Sequence, residues 1–331
     1  MRANEIIAHL AVSRGRTALE PYFQFLMPPP DMIEALVDKG RFADLARERT
    51  IPVPRTLDSS NLRGAEDVLA ELRLPVVLKP TVHIGWRTSS AVMKMGGKPR
   101  KMVRADTPAE LSELFTLIRE SGFPFLVQEY VPGGDDEIYS FHTYFDENHD
   151  ALGHYVGRKI RTYPRDAGVS TYLELVNEPA LVELGTRVLK SLDFVGIVKI
   201  DFKRDPRTGK FYVLELNPRF NLWNHLGAAC GVNLMLLAHH CLNGARRPPE
   251  HAYRTGVRWL SFENDFLAFL REYGPDGDLS WLGYVSSLLG PKIYEEFAWD
   301  DPLPSLVSLA SFSQTFASKL WRRERGRPQA L

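Results

Sequence analysis

The chain has 331 residues, 44% hydrophobic and 25% charged, an ordinary globular composition that excludes a disordered, fibrous or collagen-like molecule. Lys plus Arg and Asp plus Glu both number 41, so no global field steers the chain toward nucleic acid or an anionic membrane. Cys230 and Cys241 are too few for a disulfide-stapled domain or a zinc site, no window approaches the ~18 apolar residues of a membrane span, and a cytoplasmic protein is expected.

In chain order, a helix is expected around residues 4–19, ended by the prolines of PYFQFLMPPPD. Met32, Leu36, Phe42 and Leu45 keep helical spacing before Ile51, Val53 and two prolines turn the chain extended. A helix over 65–72 leads into LPVVLKP, a buried strand ending in Lys79. Residues 81–101, with Gly85, Gly96, Gly97, Lys94 and Lys98, read as a cationic hairpin or loop. Thr107 followed by Glu110 is a capping-box signature for the next helix. The stretch from FPFLVQEY to GRKIRTYP reads as an antiparallel meander, and a helix is expected over 178–192. Two strands then flank the turn signal DPRTG, and residues 225–243 look helical. Past Pro248 helices are expected around 265–273, 282–289 and 304–321, with a basic, fraying tail.

The hairpin at 196–217 carries the chemistry. Strand alternation puts Ile200, Phe202, Tyr212, Leu214 and Leu216 on an apolar face, and Lys199, Asp201, Glu215 and Asn217 on the other. A five-residue loop would set Lys199 opposite Glu215, with Asp201 its diagonal neighbour. Oxygen-only ligands at such a separation favour Mg²⁺ or Mn²⁺ held with substrate phosphates. The plainer alternative is a solvated strand face with a surface ion pair worth ~0–1 kcal/mol.

The ordered set VDKGRFADLARERTIPVP, VVLKP, LVQEYVPGGDDE, GRKIRTYP and KIDFKRDPRTGKFYVLELNPRFN resembles the ATP-grasp superfamily, in its carboxylate–amine ligase branch of D-aspartate ligase type. The resemblance implies an α+β protein whose two lobes, residues 38–127 and 128–245, hold ATP between them. It leaves residues 1–37 as the remnant of an N-terminal domain and 246–331 as a helical extension. It implies that Lys39 and Lys79 contact phosphates, that Gln128, Glu129, Tyr130 and Val131 form the linker reading adenine, and that Glu137 binds ribose. Asp201, Glu215 and Asn217 match magnesium ligands. Arg219 matches the arginine beside the transferring phosphoryl group. Arg158, Lys159 and Arg161 match a basic strand facing phosphates or the substrate carboxylate, Arg161 being taken with Arg219 as catalytic and Arg158 with Asn221 as substrate-binding.

The expected reaction joins a small-molecule carboxylate to an amine through an acyl phosphate, with neither nucleic acid nor membrane as partner. Fewer than 40 residues precede Lys39 where the family has a Rossmann-like domain, so the expectation includes a homo-oligomer or a partner chain that completes the site. A non-catalytic nucleotide-binding module and a small-molecule kinase on the same fold are the alternatives. GxGxxG, GxxxxGK[ST], HExxH and GxSxG motifs are absent.

Overall fold

The computed structural model describes residues 2–81, 102–166, 168–245, 249, 251–298, 300–308 and 310–311, and arranges them around two sheets. The smaller sheet has the order β1 (Thr56–Asp58), β4 (Phe125–Glu129), β2 (Val76–Pro80), β3 (Val103–Ala105), antiparallel throughout. Helix α6 (Pro108–Glu120) covers it. Thr107 and Glu110 form the expected capping box, and Leu111, Phe115 and Ile118 at helical spacing are buried. They pack with Val76, Leu78, Phe125 and Val127, the Phe115 and Phe125 rings meeting edge to face at 5.2 Å.

The larger sheet runs β11 (Lys292–Tyr294), β10 (Arg258–Leu260), β7 (Val169–Val176), β6 (Ala151–Tyr163), β5 (Ile138–Phe145), β8 (Gly196–Arg204), β9 (Phe211–Asn217). All of β5 is buried, because both faces of the sheet are covered. On one face Tyr139, Phe141 and Phe145 pack with α3 (Pro30–Val37), α4 (Lys39–Glu48) and α7 (Pro179–Ser191) through Leu36, Phe42 and Leu189. On the other, Tyr144 and Tyr155 pack with α8 (Asn224–Cys230) and α9 (Leu234–Leu242). A side chain at Gly227 would put its Cβ 2.2 Å from the Tyr155 ring, so this glycine sets how closely α8 approaches the sheet.

Several elements differ from the sequence expectation, each for a local reason. The first helix breaks at Gly15, giving α1 (Arg2–Arg14) and α2 (Arg16–Leu19). The helix expected from Asp31 breaks at Asp38, whose carboxylate accepts from the N–H groups of Gly40 and Arg41 at 2.8 and 2.9 Å and starts α4 anew. Through Phe42 and Ala46, α4 shares the large sheet's core; the small lobe's own core begins at Leu62. The helix expected over 225–243 bends by 92° where Gly231 takes a φ of 118°. Residues beyond 246 hold the expected helices α10 (Phe262–Ala268), continued by a π-helical turn (Phe269–Tyr273), and α11 (Trp281–Ser287), but also add β10 and β11 to the large sheet. These strands have three residues each, too short for an alternation signal to show. The cationic loop expected at 81–101 lies, after residue 81, outside the described residues.

Candidate active site

A cleft of about 930 Å³, open to solvent, lies between the two sheets. Val77 and Lys79 of β2 and Gln128 of β4 form its small-lobe wall, and the connection Glu129–Val131 closes one end. Ile138, Lys159, Asp201, Lys203, Leu214 and Glu215 line the large-lobe side. The Asp38 cap turns the chain so that Lys39, the first residue of α4, enters the same space, while its N–H donates to Thr81 O at 3.2 Å and ties α4 to the small lobe. Val77, Met102, Ile138 and Leu214 give the cleft apolar lining, and lysines and carboxylates give it charge.

Lys39, Lys79, Lys159 and Lys203 all line the cleft, and burial lowers the pKa of each. Lys79 is pushed furthest, to about 7, by burial and by the nearby Lys39 charge, with Glu215 opposing. Its Nζ donates to Gln128 Oε1 at 2.7 Å, and Gln128 Nε2 donates to Thr56 Oγ1 at 2.6 Å. For Lys39 burial is opposed by Glu215 and Asp38, and for Lys159 mainly by Asp201. Lys203 donates to Gly133 O at 2.7 Å and lies 4.9 Å from the centre of the Tyr130 ring. Crowded, desolvated ammonium groups are an unfavourable arrangement that a bound polyanion relieves.

The carboxylates are closer than the sequence register implied. Asp201 pairs directly with Glu215, and Lys199 pairs with Asn217. Two one-residue shifts make the difference: at the turn Arg204 pairs with Phe211 rather than Lys210, and a bulge at Leu214 adds the second and turns Leu214 into the cleft, while Val213 and Leu216 enter the core. Asp201 Oδ2 accepts from Lys199 Nζ at 2.7 Å and Oδ1 from Ser140 Oγ; Glu215 Oε1 accepts from Asn217 Nδ2 at 3.0 Å. Carboxylates offer about four lone-pair sites each, so these contacts leave capacity for a cation. Two facing carboxylates and an amide, all oxygen donors, fit a hard divalent ion bound together with phosphates. Among the described residues no group of three or more His, Cys, Asp or Glu could hold a metal ion, so a cation here would rest on this pair, Asn217 and the phosphates.

The cleft gathers Lys39, Lys79, Gln128, Glu129, Tyr130, Val131, Asp201 and Glu215 of the expected set, with Asn217 reaching it through Glu215. Others lie elsewhere. Arg161 is not at a phosphoryl site: it is buried and forks onto Asp265, Nε and Nη2 each 2.8 Å from a carboxylate oxygen. A bulge between Lys159 and Arg161 turns it away, so that Lys159 and Thr162 line the cleft instead. Arg158 pairs with Glu174, which also faces Arg258. Glu137 accepts from Arg204 Nε and Nη2 at 2.7 and 3.2 Å rather than lining the cleft. Asn221 caps its own turn, accepting from Trp223 N–H at 3.0 Å, with Nδ2 3.3 Å from His142 Nδ1. Arg219 is half-buried beyond the strand end and donates to Phe220 O at 3.2 Å. Lys203 and Asp166 join the lining unanticipated, although Lys203 continues the 199, 201 alternation.

No family model matches the chain. It is 23% identical over 230 residues to D-aspartate ligase of Enterococcus faecium, covering 67% of this chain and 53% of that protein. It is 24% identical over 313 residues to the C-terminal section of the carbamoyl phosphate synthase large chain of Methanopyrus kandleri, covering 89% and 51%. The chain thus spans about half the length of these curated relatives. Among solved structures, an ADP complex of N5-carboxyaminoimidazole ribonucleotide synthetase matches with a TM-score of 0.55 and 15% identity, covering 72% of this chain and 59% of that one. Biotin carboxylase of Campylobacter jejuni in a nucleotide complex matches with a TM-score of 0.55 and 16% identity, covering 71% and 52%.

Two α+β lobes with this strand order and cleft are the ATP-grasp fold. The chain's sequence likeness runs to the carboxylate–amine ligase branch, with D-aspartate ligase among its relatives.

Proposed function

We propose that the chain is an ATP-dependent ligase joining a small-molecule carboxylate to an amine, with release of ADP and phosphate. The observation that carries this reading is the convergence of Lys39, Lys79, Lys159 and Lys203 on a cleft floored by the facing pair Asp201 and Glu215. The lysines would hold the phosphate chain as point charges, and the apolar lining of Val77 and Leu214 would take the base beside the 129–131 connection. Asp201, Glu215 and Asn217 would hold Mg²⁺ or Mn²⁺, which when bound neutralises charge developing on the phosphates.

In the first step a substrate carboxylate oxygen attacks the γ-phosphorus, the bond to the β,γ-bridging oxygen breaks, and ADP leaves with that electron pair. The amine then attacks the acyl carbon of the acyl phosphate, the acyl C–O bond breaks, phosphate leaves, and the amine's proton passes to solvent. Fixed cations around the transferring group are present before reaction, which is the arrangement that lowers such barriers most. Arg219, which follows Asn217 and Pro218, would by its motif serve the phosphoryl end, although it does not line the cleft. Cys230 and Cys241 are both free, in keeping with a reducing, cytoplasmic setting.

The test is ADP and phosphate release from Mg²⁺·ATP with pooled amino acids, with and without hydroxylamine. Hydroxamate formed together with ADP is the expected result. ADP without hydroxamate, the phosphate ending on a hydroxyl, would identify a kinase instead; nucleotide binding with no turnover would identify a binding module.

A further inference from the structure

Resting on the nucleotide reading of the cleft, we infer that the C-terminal segment Phe262–Ser287 helps build the nucleotide site, with Glu272 and Tyr273 as positioning residues for the cleft wall at 162–168. Thr162, Asp166 and Gly168 line the cleft, yet β6 ends at Tyr163 and β7 begins at Val169, so this wall turns outside the sheet ladder. Asp166 stands at a φ of 68°, a conformation its surroundings must hold.

Several polar ties along this wall come from residues 271–278. Thr162 N–H donates to Tyr273 Oη at 3.1 Å, and Arg271 Nη1 donates to Tyr163 Oη at 2.8 Å. Arg165 N–H donates to Glu272 Oε2, and Arg165 Nη1 pairs with Asp276 and Asp278. The Arg165 guanidinium lies 5.0 Å from the centre of the Tyr273 ring. Tyr273 also donates to Asp135 Oδ2, which accepts from Thr162 Oγ1 at 2.7 Å, so one buried carboxylate joins the segment to the wall. The same segment is anchored at depth by the Arg161–Asp265 pair and by Thr171 Oγ1, which donates to Asp265 Oδ1 at 2.9 Å. Its contacts therefore run from the protein core to Thr162 on the cleft and to Tyr163 and Arg165 beside it.

The experiment measures Mg²⁺·ATP affinity of the full chain by calorimetry for the wild type, Tyr273→Phe, Glu272→Gln, Asp135→Asn and the Tyr273→Phe/Asp135→Asn pair. Tyr273→Phe is expected to raise Kd by about five- to twentyfold and Glu272→Gln by about threefold or more, measured where both ligand-free variants are fully folded, since loss of the buried Tyr273 hydroxyl also lowers stability. Because Tyr273 and Asp135 share a hydrogen bond and both hold Thr162, the losses in the double variant are expected to be clearly less than additive, which general destabilisation does not produce. Kd values within twofold of wild type in both Tyr273→Phe and Glu272→Gln, or fully additive losses in the pair, overturn the inference. If Tyr273→Phe does not fold, the half-exposed Glu272→Gln decides alone. A wild type that fails to bind Mg²⁺·ATP removes the nucleotide reading itself, whereas a binding wild type with unaffected variants removes only this role of the segment.

Discussion

Lys159 and Arg161 stand two residues apart on β6, and their surroundings are opposite. Arg161 is closed: its guanidinium and the Asp265 carboxylate are 5% and 0% exposed and matched by a two-pronged contact. Lys159 is buried on the cleft side, where the loss of water lowers its pKa against the opposing pull of Asp201 and Glu215. A charge already neutralised inside the protein serves architecture, and desolvated ammonium groups open to a cleft are what an external anion completes. By sequence both residues belong to one basic strand; by structure one is a rivet and the other part of a receptor.

The largest effect expected from this contrast falls on the rivet. Asp265→Ala leaves the Arg161 guanidinium buried without its carboxylate, and chemical denaturation should show a loss of about 3–5 kcal/mol, much of it recovered in Arg161→Met/Asp265→Leu, which removes both charges. A loss under 1 kcal/mol would erase the contrast. On the cleft side Glu215→Gln should leave stability nearly unchanged while ATP-dependent ADP release falls by about a hundredfold or more, about 2.7 kcal/mol of barrier. Turnover equal to wild type would sink the assignment of Asp201 and Glu215.

Lys79→Met should weaken Mg²⁺·ATP binding by about tenfold, and because it removes a desolvated charge the ligand-free protein should be no less stable. A variant that binds normally but unfolds readily would make Lys79 structural, like Arg161. The smallest effect is a pH dependence. Lys79 has its pKa lowered from the ordinary 10.5 to about 7, so between these values the unfolded chain holds more protons and ligand-free stability rises with pH. Nucleotide binding favours the ammonium form, so affinity is fullest below about pH 7 and declines above it, in all by no more than the about tenfold that loss of the charge costs in Lys79→Met. Calorimetry at pH 8 in two buffers of different ionisation enthalpy should register proton uptake on binding; its absence would mean that Lys79 is already compensated.

Much of the site could be read in the residues themselves. The apolar run ending in Lys79, the alternation that sets Asp201 and Glu215 apart from Ile200 and Leu216, and the Thr107–Glu110 cap all survive in the structure, because each rests on a period or a contact spanning a few residues. The assignments that changed are those depending on which neighbour a strand meets. Leu214 was placed in the core with Leu216, but the bulge beside it turns it into the cleft. Arg161 was placed with the phosphates, but a bulge on β6 gives that face to Lys159 and Thr162. Glu137 carries no local sign that Arg204, 67 residues away, takes its carboxylate.

The residues alone therefore determined the chemistry available to this protein: lysines at strand and helix starts, carboxylates on one face of a hairpin, and an ordered set of motifs in keeping with the ATP-grasp fold. Those features are local, written in side-chain type and in periods of two and 3.6 residues. Only the tertiary structure decided which cations were already paired and which face the cleft. A single extra residue in a strand reverses the direction of its neighbouring side chains, and whether it is accommodated depends on packing against elements far away in sequence.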